Sequence, residues 1–382
     1  MILFVGVPTL FNSFPSNSGG GGGGKKAGVF KSSDSGSHWD LKANTNVVVQ
    51  TKKTRQGQQN RQTATIGVAI DKDSRMTTEI TNTNTAFKKE ILDIAIDSQN
   101  SKIIYLGTKG SGLVVASDSG ESWVPVIDST KVLDQKANIN KVLIDPKDHN
   151  NIYLSVFQKN YGMILRSKNS GQSFEVIYTT TLPGQEVTSL TLDSMNPNLI
   201  YFGTSSGGLF ESNNYGDSWR VLRWFDSVIN VILLPSKTSS FYVGTGRGLF
   251  KTDDRGQTFF ELNKRLSKLD GNASNIISIT VDRLNSNIVY LGTSYGLLRS
   301  KDGGLRFDLV NGLMPVNSLP IRAIEISPID GKIIYVGAGS FIYKSVDGGL
   351  YWSVEKLPTA FNVQVIKVNP NSPKEIYLGT AE

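Results

Sequence analysis

The 382-residue chain contains no cysteine and only two histidines, His38 and His149. Without thiols there is no disulfide framework, no thiolate nucleophile and no zinc–thiolate centre. No apolar run reaches the roughly 18 residues that would mark a membrane-spanning helix. Charge of one sign is also scarce. The 40 Lys and Arg stand against 33 Asp and Glu, a formal +7. That excess permits contact with acidic surfaces but is not by itself the footprint of specific nucleic-acid binding. No Ser/His/Asp set, phosphate-cradling loop or histidine-rich metal spacing occurs. The histidines fall in turn-like stretches and read as turn residues. No catalytic, cofactor-binding or metal-binding residues are expected. What the chain does have is 17 Phe, 13 Tyr, 5 Trp and 38 Gly in a composition that is 38% hydrophobic. That is enough for a large core and excludes global disorder.

Its organisation lies in an internal repeat. An eight-residue box, small residue–x–Asp/Asn–x–Gly–x–x–aromatic, recurs seven times. It begins at Ser32, Ala116, Ser167, Ser212, Thr252, Ser300 and Ser345. It closes on Trp39, Trp123, Phe174, Trp219, Phe259, Phe307 and Trp352. The acidic or amide position is Asp34, Asp118, Asn169, Asn214, Asp254, Asp302 and Asp347. Its glycines, at 36, 120, 171, 216, 256, 304 and 349, are spaced by 84, 51, 45, 40, 48 and 45. Each box is accompanied by a β-branched run ending in a small-residue turn, such as Ile103–Thr108, Ile200–Thr204 or Ile376–Thr380. Two further strand-like runs complete each unit, as in Ile91–Ile96 and Gly208–Ser212. Four strands about every 45 residues are the signature of propeller blades. Within a box, the Asp or Asn is placed to accept turn N–H groups, Gly supplies a positive φ, and the aromatic packs between sheets.

These boxes resemble the Asp-box (bacterial neuraminidase) repeat of sialidases, sortilin-type receptors, xyloglucan-hydrolysing propellers and photosystem II assembly-factor-like propellers. The resemblance implies an all-β, seven-bladed β-propeller of four-stranded antiparallel blades. The chain ends agree. Val363–Thr380 holds two strands with no box after them, and Gly28–Trp39 holds a strand and box with nothing before them. The N-terminal strand is therefore expected to close the ring by pairing with the C-terminal strands. Residues 28–382 form the propeller, with a basic insertion at about 42–89 read as a loop or hairpin containing Val47–Gln50 and Ala64–Ile70. Residues 1–27, an apolar segment followed by a Gly-rich linker, read as a signal or anchor remnant. Membrane association is expected only through that segment.

Sialidases carry an essential arginine ahead of their first box, whereas the first arginine here, Arg55, follows it. The face opposite the boxes offers Asp128, Asp134, Glu186 and Asp226, whose spacing singles out no glycosidase pair. It also offers Lys109, Tyr161, Arg223, Trp224, Arg247 and Tyr295. Arginine beside exposed aromatics is the composition of interface hot spots and of sugar-stacking surfaces. Tyr161, Arg223, Trp224, Arg247 and Tyr295 form the candidate binding face. The expected function is a non-enzymatic, exported, periplasmic or cell-surface scaffold that binds a protein partner or an anionic cell-surface polymer. The alternative is a carbohydrate-binding or glycoside-hydrolysing propeller.

Overall fold

The computed structural model describes residues 27–42, 47–50, 78–81, 89–226, 230–234, 237–262, 266, 269 and 271–382. Seven four-stranded antiparallel sheets form the blades of a propeller. Blades are numbered here from the first inner strand, Ile91–Ile96. The other inner strands are Asn138–Ile144, Val187–Leu192, Asn230–Leu234, Ile276–Val281, Ile321–Ile326 and Asn362–Val368. They follow one another around a central channel of about 1010 Å³. Second strands such as Ile104–Thr108 and Ile200–Thr204 are buried along their whole length. Outer strands such as Arg220–Trp224 face water. The β-branched and aromatic residues of the second strands thus lie sandwiched between blades, where their area counts most.

The seventh blade is assembled from both chain ends, in the order Asp40–Lys42, Val29–Ser32, Ile376–Ala381, Asn362–Val368. Val29 pairs with Gly379 and Ser32 with Ile376. Gly28 N–H donates to Thr380 Oγ1 at 3.0 Å. A single hydrophobic cluster spans the seam, with Val29, Val365 and Tyr377 meeting Ile91 and Trp123 of blade 1. Closure leaves the ring without an unpaired edge between its termini.

The boxes join the third and outer strands of each blade. The Asp or Asn side-chain oxygen accepts the N–H of the residue four positions on in every box, at 2.8–3.1 Å. The residue before the box glycine lies in the left-handed region: Ser35, Ser119, Ser170, Tyr215, Arg255, Gly303 and Gly348. Its N–H donates to a loop carbonyl of its own blade, as in Ser35 to Lys374 and Tyr215 to Asn198. Its carbonyl in most blades accepts from the preceding blade. Tyr377 reaches Ser119, Tyr105 reaches Ser170, Tyr242 reaches Gly303 and Tyr335 reaches Ser35, at 2.8–3.2 Å. Arg166 and Arg299 play that part toward Tyr215 and Gly348. Burial pushes the Tyr105 and Tyr335 hydroxyls up to about 12, so they remain protonated donors. The box is therefore an inter-blade joint as well as a turn. Gly120 shows why glycine is needed: its φ is +80°, and an added Cβ would lie 3.2 Å from Tyr377 and 3.1 Å from Trp123.

One expectation changes. The Leu-Gly-Thr ends of the second strands are strand rather than turn. A Cβ on Gly379 would approach the Ile91 side chain to 2.6 Å, so glycine there admits the next blade's inner strand. The following threonine staples the hairpin, as Thr108 does by donating to the Gly112 carbonyl at 2.7 Å. In the 42–89 stretch, Val47–Gln50 pairs with Thr78–Thr81. The Ala64–Ile70 run and residues 1–26 lie outside the described residues.

Candidate functional site

Because each inner strand runs toward the box side, the connections between blades and the second-to-third-strand turns share the opposite face. The backbone ties these two loop sets together: Gly112 N–H donates to Ala137, Gly162 to Gln185, and Ser205 to Glu186. The connection carrying the 42–89 stretch, from Asp40–Lys42 to Ile91–Ile96, opens on this face too.

Of the candidate residues, Arg223, Trp224 and Arg247 come together where blades 3 and 4 adjoin. Trp224 ends an outer strand and is 57% exposed. One edge of its ring meets Phe210, with centroids 6.0 Å apart in an edge-to-face arrangement. The ring also lies close over Gly208, whose added Cβ would fall 2.9 Å from it. An indole supported on one side and open on the other is a stacking platform. Arg247 Nη1 pairs with Asp226 at 2.8 Å, both side chains being well exposed. The Arg223 guanidinium lies 5.0–5.5 Å from the Phe225, Phe250 and Phe259 rings. It caps an aromatic cluster between blades through cation–π contacts.

The other candidates sit apart. Tyr161, in blade 2, is half-buried and follows the left-handed pair Lys159–Asn160. Tyr295, in blade 5, packs against the core cluster of Ile276 and Leu291. Lys109 is paired with Glu90 at 3.1 Å. Of the two histidines, His38 contacts Asp34 within its box and His149 contacts Asp97 at 3.0 Å.

The four carboxylates have different fates. Asp128 is buried and accepts from Thr130 and from the backbone N–H groups of Val132, Leu133 and Phe174. Burial works against its charge, but the hydrogen bonds from Thr130, Leu133 and Val132 prevail and lower its pKa. It closes a loop. Asp134 is exposed and accepts the Lys136 N–H at 2.8 Å. Glu186 stands at the channel mouth and accepts from Asn140 Nδ2 at 3.1 Å. Asp226 is tied to Arg247. Among the described residues these four share no hydrogen-bonding partner, and no acidic or histidine cluster is fit to hold a metal.

Sequence reasoning missed the channel wall. Six inner strands carry a β-bulge near their first residue, leaving Leu92, Asn140, Thr188, Ile277, Arg322 and Gln364 out of the ladder. All six line the channel. Four of the six, Asn140, Thr188, Arg322 and Gln364, are polar or charged residues near the start of an inner strand, whereas Leu92 and Ile277 carry no such mark.

No family model matches the chain. It is 28% identical over 249 residues to a xyloglucanase of a Paenibacillus species, covering 59% of this chain and 21% of that protein. It is 24% identical over 241 residues to the xyloglucanase Xgh74A of Acetivibrio thermocellus, covering 59% of this chain and 26% of the relative. The matches thus span about a quarter of the relatives' length. Among solved structures, the GH74 enzyme of Niastella koreensis superposes with a TM-score of 0.63 at 17% identity, covering 77% of this chain and 51% of that one. YCF48 from Cyanidioschyzon merolae superposes with a TM-score of 0.58 at 16% identity, covering 76% and 95%. The structural likenesses establish the propeller class. The sequence likenesses overturn the expectation of a non-enzymatic scaffold and point instead to glycoside hydrolysis, the alternative reading.

Proposed function

We propose that the chain is a polysaccharide-engaging propeller that serves glycoside hydrolysis of a xyloglucan-type substrate. The observation that carries this reading is the similarity to named xyloglucanases along 59% of the chain. The exposed Trp224 ring, on the face opposite the boxes and beside the Arg247–Asp226 pair, suits it chemically. An indole stacks on the C–H face of a sugar while the flanking polar pair hydrogen-bonds hydroxyls. Asp134 and Glu186 are the carboxylates of this face that combine access to solvent or the channel with few internal hydrogen bonds. They are proposed as the groups that meet a glycosidic bond, in roles their separation across bound substrate decides. The seven boxes are proposed to be Asp-box repeats, on their hydrogen-bonding pattern. Location outside the cell follows from the substrate class. The basic 42–89 stretch is proposed to add electrostatic contact with anionic polymer.

The test is affinity electrophoresis and calorimetry of the full chain against xyloglucan, with reducing-end release measured in parallel. Retardation by xyloglucan that Trp224→Ala weakens by about 10-fold at nearly unchanged melting temperature supports the reading. Absence of both retardation and product release overturns it.

A further inference from the structure

The channel mouth holds a cation, Arg322, that has no ion-pair partner within 4 Å among the described residues, although carboxylates such as Glu186 also line the channel. Lys141 lies 3.5 Å from Asp93, and Lys367 lies 3.5 Å from Glu325. Arg322 differs. It occupies the bulge of blade 6, lines the channel, and its Nε is buried with no hydrogen-bond partner among the described residues. Leaving a buried guanidinium donor unmade is costly. Bulges re-aim side chains and are frequent beside functional sites.

Its neighbours define the ligand. Gln364 occupies the same bulge position in blade 7, and Ile277 and Leu92 occupy it in blades 5 and 1. Three blades around from Arg322, Glu186 and Asn140 stand on the far wall, joined at 3.1 Å. The mouth thus sets a guanidinium and an amide on one side, aliphatic groups beside them, and hydroxyl-binding groups opposite. We propose that it is a binding site for the carboxylate of an acidic sugar, a hexuronate unit. In this arrangement Arg322 forks onto the carboxylate, Gln364 donates beside it, and Glu186 with Asn140 receives ring hydroxyls. One guanidinium matches one carboxylate in charge and planarity. A phosphate dianion would bring a second negative charge to the single guanidinium at this mouth, across from Glu186. The volume of about 1010 Å³ is at the upper end for small-molecule sites and admits a sugar unit.

This inference rests on the carbohydrate reading, and the test separates the two. Calorimetry on the full chain compares glucuronate, glucose, acetate and inorganic phosphate at low and high salt. Glucuronate is expected to bind at least about 10-fold tighter than the other three, with affinity falling as salt rises. Arg322→Met, which keeps the aliphatic stem, should reduce glucuronate affinity by about 10-fold or more. Gln364→Glu sets a like charge beside the carboxylate, so the proposal remains testable if the first variant folds poorly. Glucuronate binding no tighter than glucose, or unaffected in a folded Arg322→Met, overturns the proposal. So does acetate or phosphate binding as tightly as glucuronate. Xyloglucan binding, measured separately, reports on the parent reading whichever way this result falls.

Discussion

Tyr377, near the C-terminus, donates its hydroxyl to the carbonyl of Ser119 at 2.9 Å, joining the last blade to the box of the first. Lys31 Nζ reaches the same carbonyl at 3.0 Å and Glu121 at 3.2 Å. The seam therefore uses the same device as most other blade interfaces, reinforced by a cation on the N-terminal strand.

Removing residues 1–40 should expose the Ile376–Ala381 edge and strip Val29 and Lys31 from the seam. The shortened chain is expected to aggregate or to lose cooperative unfolding in calorimetry. Deleting residues 1–24 should leave the melting transition nearly unchanged. Tyr377→Phe keeps the ring and removes one hydrogen bond to a carbonyl that Lys31 still satisfies, so its cost should be about 1 kcal/mol.

Close approach makes a second prediction. A Cβ at Gly379 would lie 2.6 Å from Ile91 Cγ2, and one at Gly107 would lie 2.5 Å from the Ile139 carbonyl. Gly379→Ala and Gly107→Ala should each destabilise by about 1–3 kcal/mol through forced shifts of the adjoining blade. Gly110→Ala meets no atom within 4 Å, but its φ is +66°, so it should cost only the backbone strain of about 1 kcal/mol. Chemical denaturation of the three variants checks the ranking.

How much of this was legible beforehand follows from what repetition encodes. Seven copies of the box and of an apolar–Tyr–apolar–small run fix blade number, strand order and closure, because each copy must solve the same packing problem. The Leu-Gly-Thr ends read as turns since glycine and threonine are common there, yet Gly379 is small for the sake of Ile91 in another blade. Arg223 reads as part of the candidate binding face and is exposed, but nothing in its local sequence reveals the Phe250 and Phe259 rings of the adjoining blade that its guanidinium lies against. Arg322 and Gln364 escaped notice for a related reason: a bulge changes where one residue points without changing the strand's composition.

The boxes titrate in two directions. Hydrogen bonds from the Thr258 side chain and backbone lower the Asp254 carboxyl to about 2 from an unfolded value near 3.8. Its stabilisation is present above the unfolded value and is lost as pH falls through about 2. Asp254→Asn should flatten that part of the acid-unfolding curve. The box accommodates the amide: Asn169 and Asn214 donate to Ser173 and Ser218 at 2.8 and 2.9 Å. His38 behaves oppositely. Its hydrogen bond to Asp34 raises its pKa, so its contribution is full below the ordinary value of 6.5 and is lost as pH rises through the raised one. A proton-NMR titration in which His38 titrates at or below 6.5 would contradict that pairing.

The sharpest functional test separates two neighbours on one strand. Both side chains are exposed, but the Trp224 ring is open on one face, whereas the Arg223 guanidinium lies over the Phe225, Phe250 and Phe259 rings. Trp224→Ala should leave thermal stability within a degree or two and weaken xyloglucan binding by about 10-fold, in keeping with the roughly 1.4 kcal/mol that a stacked ring supplies. Arg223→Ala should instead lower the melting temperature, because it removes a cation shared by three rings and uncovers apolar surface between blades 3 and 4. Its binding should then match the parent at temperatures where both are folded. Equal loss of binding in two stably folded variants would show that the polysaccharide spans both side chains and that the aromatic cluster opens to receive it.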